Sequence, residues 1–223
     1  MKAVILAGGM GKRLRPITDY VPKPLIPINN VPILEWQINY LLKNGVREVI
    51  ICTGYKSEMV SDFLDKKRFK SIGVKISSEE KPLGTAGALK KISSIIKEKK
   101  IFVINGDIIT DIDLKELAKK PNSLASIPLR TKFGVVEING DKIAKFKEKK
   151  QIPDVWMNAG VYCLETKALA DLPEEGDLEK TLFPDYARRG RLHTVKFNDA
   201  KWYSIDSFKD IEECSKHISK IIK

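Results

Sequence analysis

Glutamine is nearly missing from this chain, occurring only at 37 and 151, and histidine is as scarce, at 193 and 217. Neither histidine belongs to a recognisable motif, so chemistry that turns on an imidazole base has little to work with. Cysteine occurs three times, at 52, 163 and 214. The odd number, the wide spacing and the absence of C-x-x-C exclude a zinc ribbon and fit a reduced, cytoplasmic protein. No stretch approaches the ~18 apolar residues of a membrane span, and the opening run Ala3–Ala7 is too short for a signal peptide. No internal repeat and no low-complexity tract is found.

What is present is a core and an excess of positive charge. A hydrophobic fraction of 43% over 223 residues suits one α/β domain, 1–223. The formal net charge is +11. It points to an anionic partner (nucleic acid, an acidic surface or a phosphorylated small molecule) or to a lysine-rich solvated face. Plentiful lysine and glutamate beside scarce glutamine resemble a heat-adapted surface.

Strand and helix patterns alternate through the first half. Lys2–Ala7, Glu48–Thr53, Val74–Ser78 and Ile101–Asn105 read as strands; 32–44, 57–66 and 85–96 read as helices. From about 122 the pattern turns β-rich, with strands over 123–129, 134–138, 142–147, 157–164, 192–197 and 201–205 and helices over 178–189 and 208–222. Asn139-Gly140 joins two of these strands as a hairpin turn. The expected fold is α/β: a three-layer, mostly parallel mixed sheet with helices on both faces, in halves of about 1–121 and 122–223. Such sheets bind ligands at the carboxyl ends of their strands.

The first strand runs into MKAVILAGGMGKRLRPITDYVPKP. Glycines without side chains let the backbone approach a phosphate or base, Arg13 can fork onto phosphate oxygens, and Lys23 is a mobile point charge. Two common phosphate loops are excluded. The dinucleotide fingerprint needs a third glycine where Leu14 stands, and the G-K-[ST] loop needs Ser or Thr where Arg13 stands. The longer pattern L-A-G-G-x-G-x-R-L-x-P-x-T followed by P-K-P-L, from Leu6 to Leu25, resembles the sugar-1-phosphate nucleotidyltransferases, closest in look to short mannose- and heptose-1-phosphate guanylyltransferases.

That resemblance runs from Lys2 to the terminal helix and carries expectations with it. The fold would be of the nucleotide-diphospho-sugar transferase type without the appended β-helix of longer relatives. A nucleotide would lie along Leu6, Ala7, Gly8, Gly9, Gly11 and Lys12, with Glu79, Gly84 and Thr85 of the segment Glu79–Gly87 beside the base. Catalytic roles fall to Arg13, Lys23 and Asp107. Asp107, in Asn105-Gly106-Asp107 at the end of an apolar strand, matches the family's Mg²⁺ ligand. Gly134, Glu148, Lys149 and Asn158 match the side that holds the sugar phosphate.

Guanine offers two adjacent donors that a carboxylate can accept, whereas uracil and thymine suit an amide, so Glu79 or Glu80 favours GTP. One segment departs from the pattern. The family's Trp-x-Asp-Ile-Gly supplies a second metal-binding aspartate, but here Trp202-Tyr203-Ser204-Ile205-Asp206 puts Ser204 in that register. Asp206 lies two residues on, on the same side of an extended chain. It either supplies the carboxylate or, like Ser207, caps the terminal helix.

The implied reaction joins an NTP and a sugar 1-phosphate into an NDP-sugar and pyrophosphate, with Mg²⁺ as cofactor. The sugar-phosphate nucleophile is largely ionised, its second pKa being about 6, and needs no general base. No membrane partner is expected, the oligomeric state is open between monomer and homodimer, and nucleic acid is disfavoured because no binding motif for it appears. The alternatives are a uridylyl- or thymidylyltransferase on a glucose-type 1-phosphate, and a non-catalytic regulatory subunit of the same fold.

Overall fold

A computed structural model describes every residue except 68, 70, 132, 149, 150, 219, 220, 222 and 223, and at 151 and 153 the backbone alone. Seven strands form the central sheet: β1 (Lys2–Ala7), β2 (Glu48–Thr53), β3 (Gly73–Ser78), β4 (Lys100–Asn105), β5 (Ser123–Arg130), β6 (Gln151–Glu165) and β7 (His193–Lys196). Their order is β7-β5-β6-β4-β1-β2-β3. Only β6 runs against its neighbours; the other pairings are parallel, as the alternating first half predicts. Both halves of the chain thus supply strands to one sheet.

Successive residues of a strand face opposite sides of a sheet. Ala3, Ile5 and Ala7 of β1, with Val49 and Ile51 of β2, pack beneath α1 (Ile33–Lys43) and α2 (Ser57–Lys67). Val4, Ile50 and Val103 face the other way, onto α3 (Gly84–Ile92) and α4 (Leu182–Arg188). Both faces are covered, which is why these strands read as unbroken apolar runs. A third, smaller cluster unites Leu14, Ile26, Ile28, Ile33, Ile109, Ile205, Cys214, Ile218 and Ile221. It joins the glycine-rich segment to the end of the chain, where α5 spans Phe208–Ser215.

Some boundaries differ from the sequence reading. The helix expected from 178 begins only at Leu182, because Leu178 is fully buried and its N–H is taken by the Thr85 hydroxyl. The helix expected over 85–96 closes at Ile92 and continues as a 3₁₀ turn, Ser93–Ile95. A short strand at Ile108–Thr110, not anticipated, pairs antiparallel with Trp202–Ser204. The Asn139-Gly140 hairpin forms between Val135–Asn139 and Lys142–Lys147, with Gly140 at φ +62°. No helix among the described residues is long and apolar enough to cross a membrane.

Candidate active site

The carboxyl ends of β1 and β4 open into a cavity of about 570 Å³, within the usual range for small-molecule sites. Its wall includes Leu6, Ala7, Gly8, Gly9, Gly11, Lys12, Arg13, Lys23, Glu79, Gly84, Thr85, Asp107 and Asp206. Every residue assigned from the sequence to the nucleotide, to catalysis or to the metal therefore reaches one cavity. The glycine loop closes tightly: Gly11 has φ +62°, and a Cβ there would lie 2.9 Å from the Thr18 methyl group and 3.3 Å from Lys23 Cβ. Leu14, fully buried in the third cluster, anchors the 3₁₀ turn that carries Arg13. Lys23 opens a second such turn, Lys23–Leu25, held by the buried ring of Pro24.

Charge converges on Lys23. Its ammonium donates to Asp107 Oδ2 at 2.7 Å and to Asp206 Oδ1 at 2.8 Å, with only 12% of the side chain exposed. Arg13, mostly in solvent, also pairs with Asp206 Oδ1 at 2.8 Å. Ser204 Oγ donates to the other oxygen, Oδ2, at 2.9 Å. Burial alone would raise the Asp206 carboxyl, but Lys23, Ser204 and Arg13 outweigh it and hold the pKa below the ordinary aspartate value.

Of the alternatives for this segment, the geometry selects Asp206 as the acidic partner. The Ile205 N–H donates to the Asp107 carbonyl at 3.0 Å, which seats the next residue beside Asp107. Ser207, not Asp206, caps α5, its hydroxyl accepting from the Asp210 N–H. Two carboxylates thus meet at one cationic position. Hard oxygen donors of this kind suit Mg²⁺, and among the described residues no third acidic, histidine or cysteine ligand joins them. Mg²⁺ commonly binds through one or two carboxylates plus phosphates and water.

At the other end of the cavity lies Glu79. Its Oε2 accepts from the Leu83 N–H at 3.2 Å. Its Oε1 rests where side chains at Gly8 and Gly54 would stand: a Cβ would come within 2.4 Å at Gly8 and 2.7 Å at Gly54. Burial raises the Glu79 pKa above the usual value, and the Leu83 N–H and Lys91 offset this only in part. Glu80 is not part of the cavity wall. Cys52 is, but burial, with the Glu79 charge adding, pushes its thiol up to about 12, so it is no nucleophile at neutral pH.

Thr85 reaches the cavity, yet its hydroxyl is engaged elsewhere, accepting from the Leu178 N–H at 2.8 Å and donating to Glu179 Oε2 at 3.3 Å. Asp177, on the same loop, lines the cavity; nothing in its sequence context marks it. The residues matched to the sugar phosphate lie apart from this wall. A Cβ on Gly134 would meet the Phe146 ring at 2.4 Å and Glu148 Oε2 at 3.1 Å, so Gly134 and Glu148 adjoin each other. Asn158, on β6, donates to the Tyr162 hydroxyl at 2.9 Å, and that hydroxyl donates to Glu179 Oε1 at 3.3 Å. Lys149 lies outside the described residues.

Known proteins resemble this chain in sequence and fold. The family model described as nucleotidyl transferase matches residues 2–221. The chain is 38% identical to a D-glycero-alpha-D-manno-heptose 1-phosphate guanylyltransferase of Aneurinibacillus thermoaerophilus, over 73% of this chain and 74% of that one. It is 36% identical to the Campylobacter jejuni protein of the same name, over 84% and 87%. Against the mannose-1-phosphate guanylyltransferase catalytic subunit beta of Danio rerio it is 35% identical over 94% of its length, and it spans 62% of that relative. Among solved structures, HddC from Yersinia pseudotuberculosis superposes with a TM-score of 0.79 at 27% identity, covering 97% of this chain and 99% of that one. The same protein complexed with GMP-PN gives 0.79 at 25% identity, with the same coverage. With its signature residues gathered in one cavity and the match running almost end to end, the chain belongs to the nucleotidyl transferase family.

Proposed function

We propose that this protein is a Mg²⁺-dependent sugar-1-phosphate guanylyltransferase, joining GTP and a mannose- or heptose-type sugar 1-phosphate into a GDP-sugar with release of pyrophosphate. One observation carries the reading: a glycine-rich loop runs from a base-side carboxylate, Glu79, to Lys23 set between Asp107 and Asp206. The heptose- and mannose-1-phosphate guanylyltransferases among the relatives, and the GMP-PN complex, support the choice of base and sugar class.

In this reading Glu79 accepts the two adjacent donors on the guanine pairing edge. The loop amides and Arg13 hold the triphosphate. Lys23 stabilises charge that develops around the α-phosphoryl group as a sugar-phosphate oxygen attacks in line and pyrophosphate leaves opposite. No side chain needs to take a proton, since the nucleophile's second pKa is about 6. Positioning and charge neutralisation do the rest. Asp107 and Asp206 would hold the Mg²⁺, which when bound offsets phosphate charge. Glu148, Asn158 and Lys149 would receive the sugar phosphate, and the three reduced cysteines agree with a cytoplasmic setting. Pyrophosphate release measured across four NTPs and a panel of sugar 1-phosphates, with and without Mg²⁺, tests the whole proposal. GTP with a mannose or heptose 1-phosphate should turn over fastest, and only with the metal. Equal or faster turnover with UTP or dTTP would overturn the choice of base.

A further inference from the structure

Gln37 is one of the chain's two glutamines and is buried to within 1% of full enclosure, in the apolar layer beneath the sheet. Its side-chain NH₂ donates twice: to the Asn105 carbonyl at 2.8 Å and to the Ile108 carbonyl at 2.9 Å. Those two carbonyls are the two ends of the Asn105-Gly106-Asp107-Ile108 turn. Because both partners are acceptors only, the amide orientation is fixed by its bonds. Its Oε1 has no hydrogen-bond partner among the described residues. A leucine or methionine would spare that oxygen but take the donor away from both turn carbonyls, so the amide leaves one oxygen unbonded in exchange for two bonds to the turn. What the amide supplies is a pair of donors, one for each end of the turn that carries Asp107.

The same helix also fixes the other side of the site. Trp36 Nε1 donates to the Ile28 carbonyl and the Ile33 N–H to the Ile26 carbonyl, both just beyond the turn that carries Lys23. Helix α1 therefore touches the Lys23 segment with residues 33 and 36 and the Asp107 turn with residue 37.

We propose that Gln37 is a positioning residue for Asp107: by bonding both ends of its turn, it sets the carboxylate at the distance and angle from Lys23 and Asp206 that metal and phosphate binding require. The proposal rests on the guanylyltransferase reading above. Gln37→Met keeps the volume and removes both donors. Tyr40→Phe is the control. It lies one turn further along α1 and removes a buried bond of similar kind, from the Tyr40 hydroxyl to the Ile112 carbonyl at 2.8 Å, remote from Asp107. Asp107→Ala is the reference for total loss.

Each protein is assayed for kcat, for KM of GTP, for thermal midpoint, and for Mn²⁺ affinity in the presence of α,β-methylene GTP, read from the EPR signal of free Mn²⁺. Gln37→Met should lower kcat and Mn²⁺ affinity at least ~10-fold with little change in KM for GTP, a loss of the size typical when a partner that orients a metal ligand is removed. Tyr40→Phe should lower only the thermal midpoint. If Gln37→Met does not fold, Gln37→Asn, which keeps the amide but draws it back by one methylene, carries the same expectation. Unchanged kcat and Mn²⁺ affinity in a folded Gln37 variant, beside a clear loss in Asp107→Ala, overturns the proposal and leaves the reading of the site intact. Equal losses in Tyr40→Phe overturn it too. No loss in Asp107→Ala overturns both.

Discussion

The proposed phosphoryl chemistry rests on four side chains that meet in the cavity: Arg13, Lys23, Asp107 and Asp206. Asp107→Ala, Lys23→Ala and Arg13→Ala should each cut turnover at least ~100-fold in folded protein, the usual loss when a preorganised electrostatic partner is removed. Asp206→Asn should raise the Mg²⁺ concentration needed for half-maximal rate, whereas Ser204→Ala, which removes one hydrogen bond to Asp206, should shift it only slightly; the reverse order would return the ligand role to Ser204. The reading as a non-catalytic subunit rested on Ser204 standing in the aspartate register; Asp206, paired like Asp107 with Lys23, nonetheless sets a carboxylate there. Asp206 also has a pH signature. Its folded-state pKa lies below the unfolded value of 3.8, so its contribution to stability is complete above that value and fades as pH falls through the folded-state pKa. The gap in thermal midpoint between wild type and Asp206→Asn should hold from neutral pH down to about 4 and close in stronger acid.

At the scale of elements, two close approaches matter most. Helix α3 and the loop before α4 lie so near that a Cβ on Gly84 would come within 2.3 Å of the Gly176 carbonyl oxygen, and Gly84 itself has φ +74°. Gly84→Ala should therefore cost about 1–3 kcal/mol in chemical denaturation, through a left-handed alanine and a displaced loop. Near-wild-type stability would mean that the loop is free to give way. The second approach is β1 to the loop after β3. Gly8→Ala would drive the Glu79 carboxylate out of its seat, raising KM for GTP and narrowing its preference over UTP while leaving the fold intact. These elements were largely legible in the sequence: β1, β2 and β4 as apolar runs, and α1 within the helix read over 32–44. The engagement of the Thr85 hydroxyl was not legible: Thr85 reaches the cavity, but Leu178 and Glu179, some ninety positions away, take its hydroxyl.

The molecule as a whole carries 40 basic against 29 acidic side chains. Both proposed substrates are phosphate anions, and long-range attraction of this kind acts on encounter rather than on chemistry. Stopped-flow or initial-rate measurements should show kcat/KM falling several-fold between ~0.05 and ~0.5 M salt as screening sets in, with kcat nearly constant. A flat kcat/KM would assign the excess charge to solvation alone.

The sequence by itself determined which residues make up the loop side of the cavity. The glycines, Arg13 and Lys23 stand out through short spacing, and Asp107 through its place just after an apolar strand, because a strand–turn block is a local object that the chain holds together over a few residues. The alternating fold is local in the same sense, being written in short apolar runs and helical periodicity. Only the tertiary structure decided that Asp206 completes the acidic pair. On an extended chain Ser204 and Asp206 share a side, and the choice came from Ile205 bonding to Asp107 while its own side chain joins the third cluster. It decided likewise that Gln37 brackets the Asp107 turn and that Glu79 fits against two glycines that follow different strands. Each of these joins residues far apart in the chain, where no periodicity or spacing connects them and only packing brings the atoms within reach.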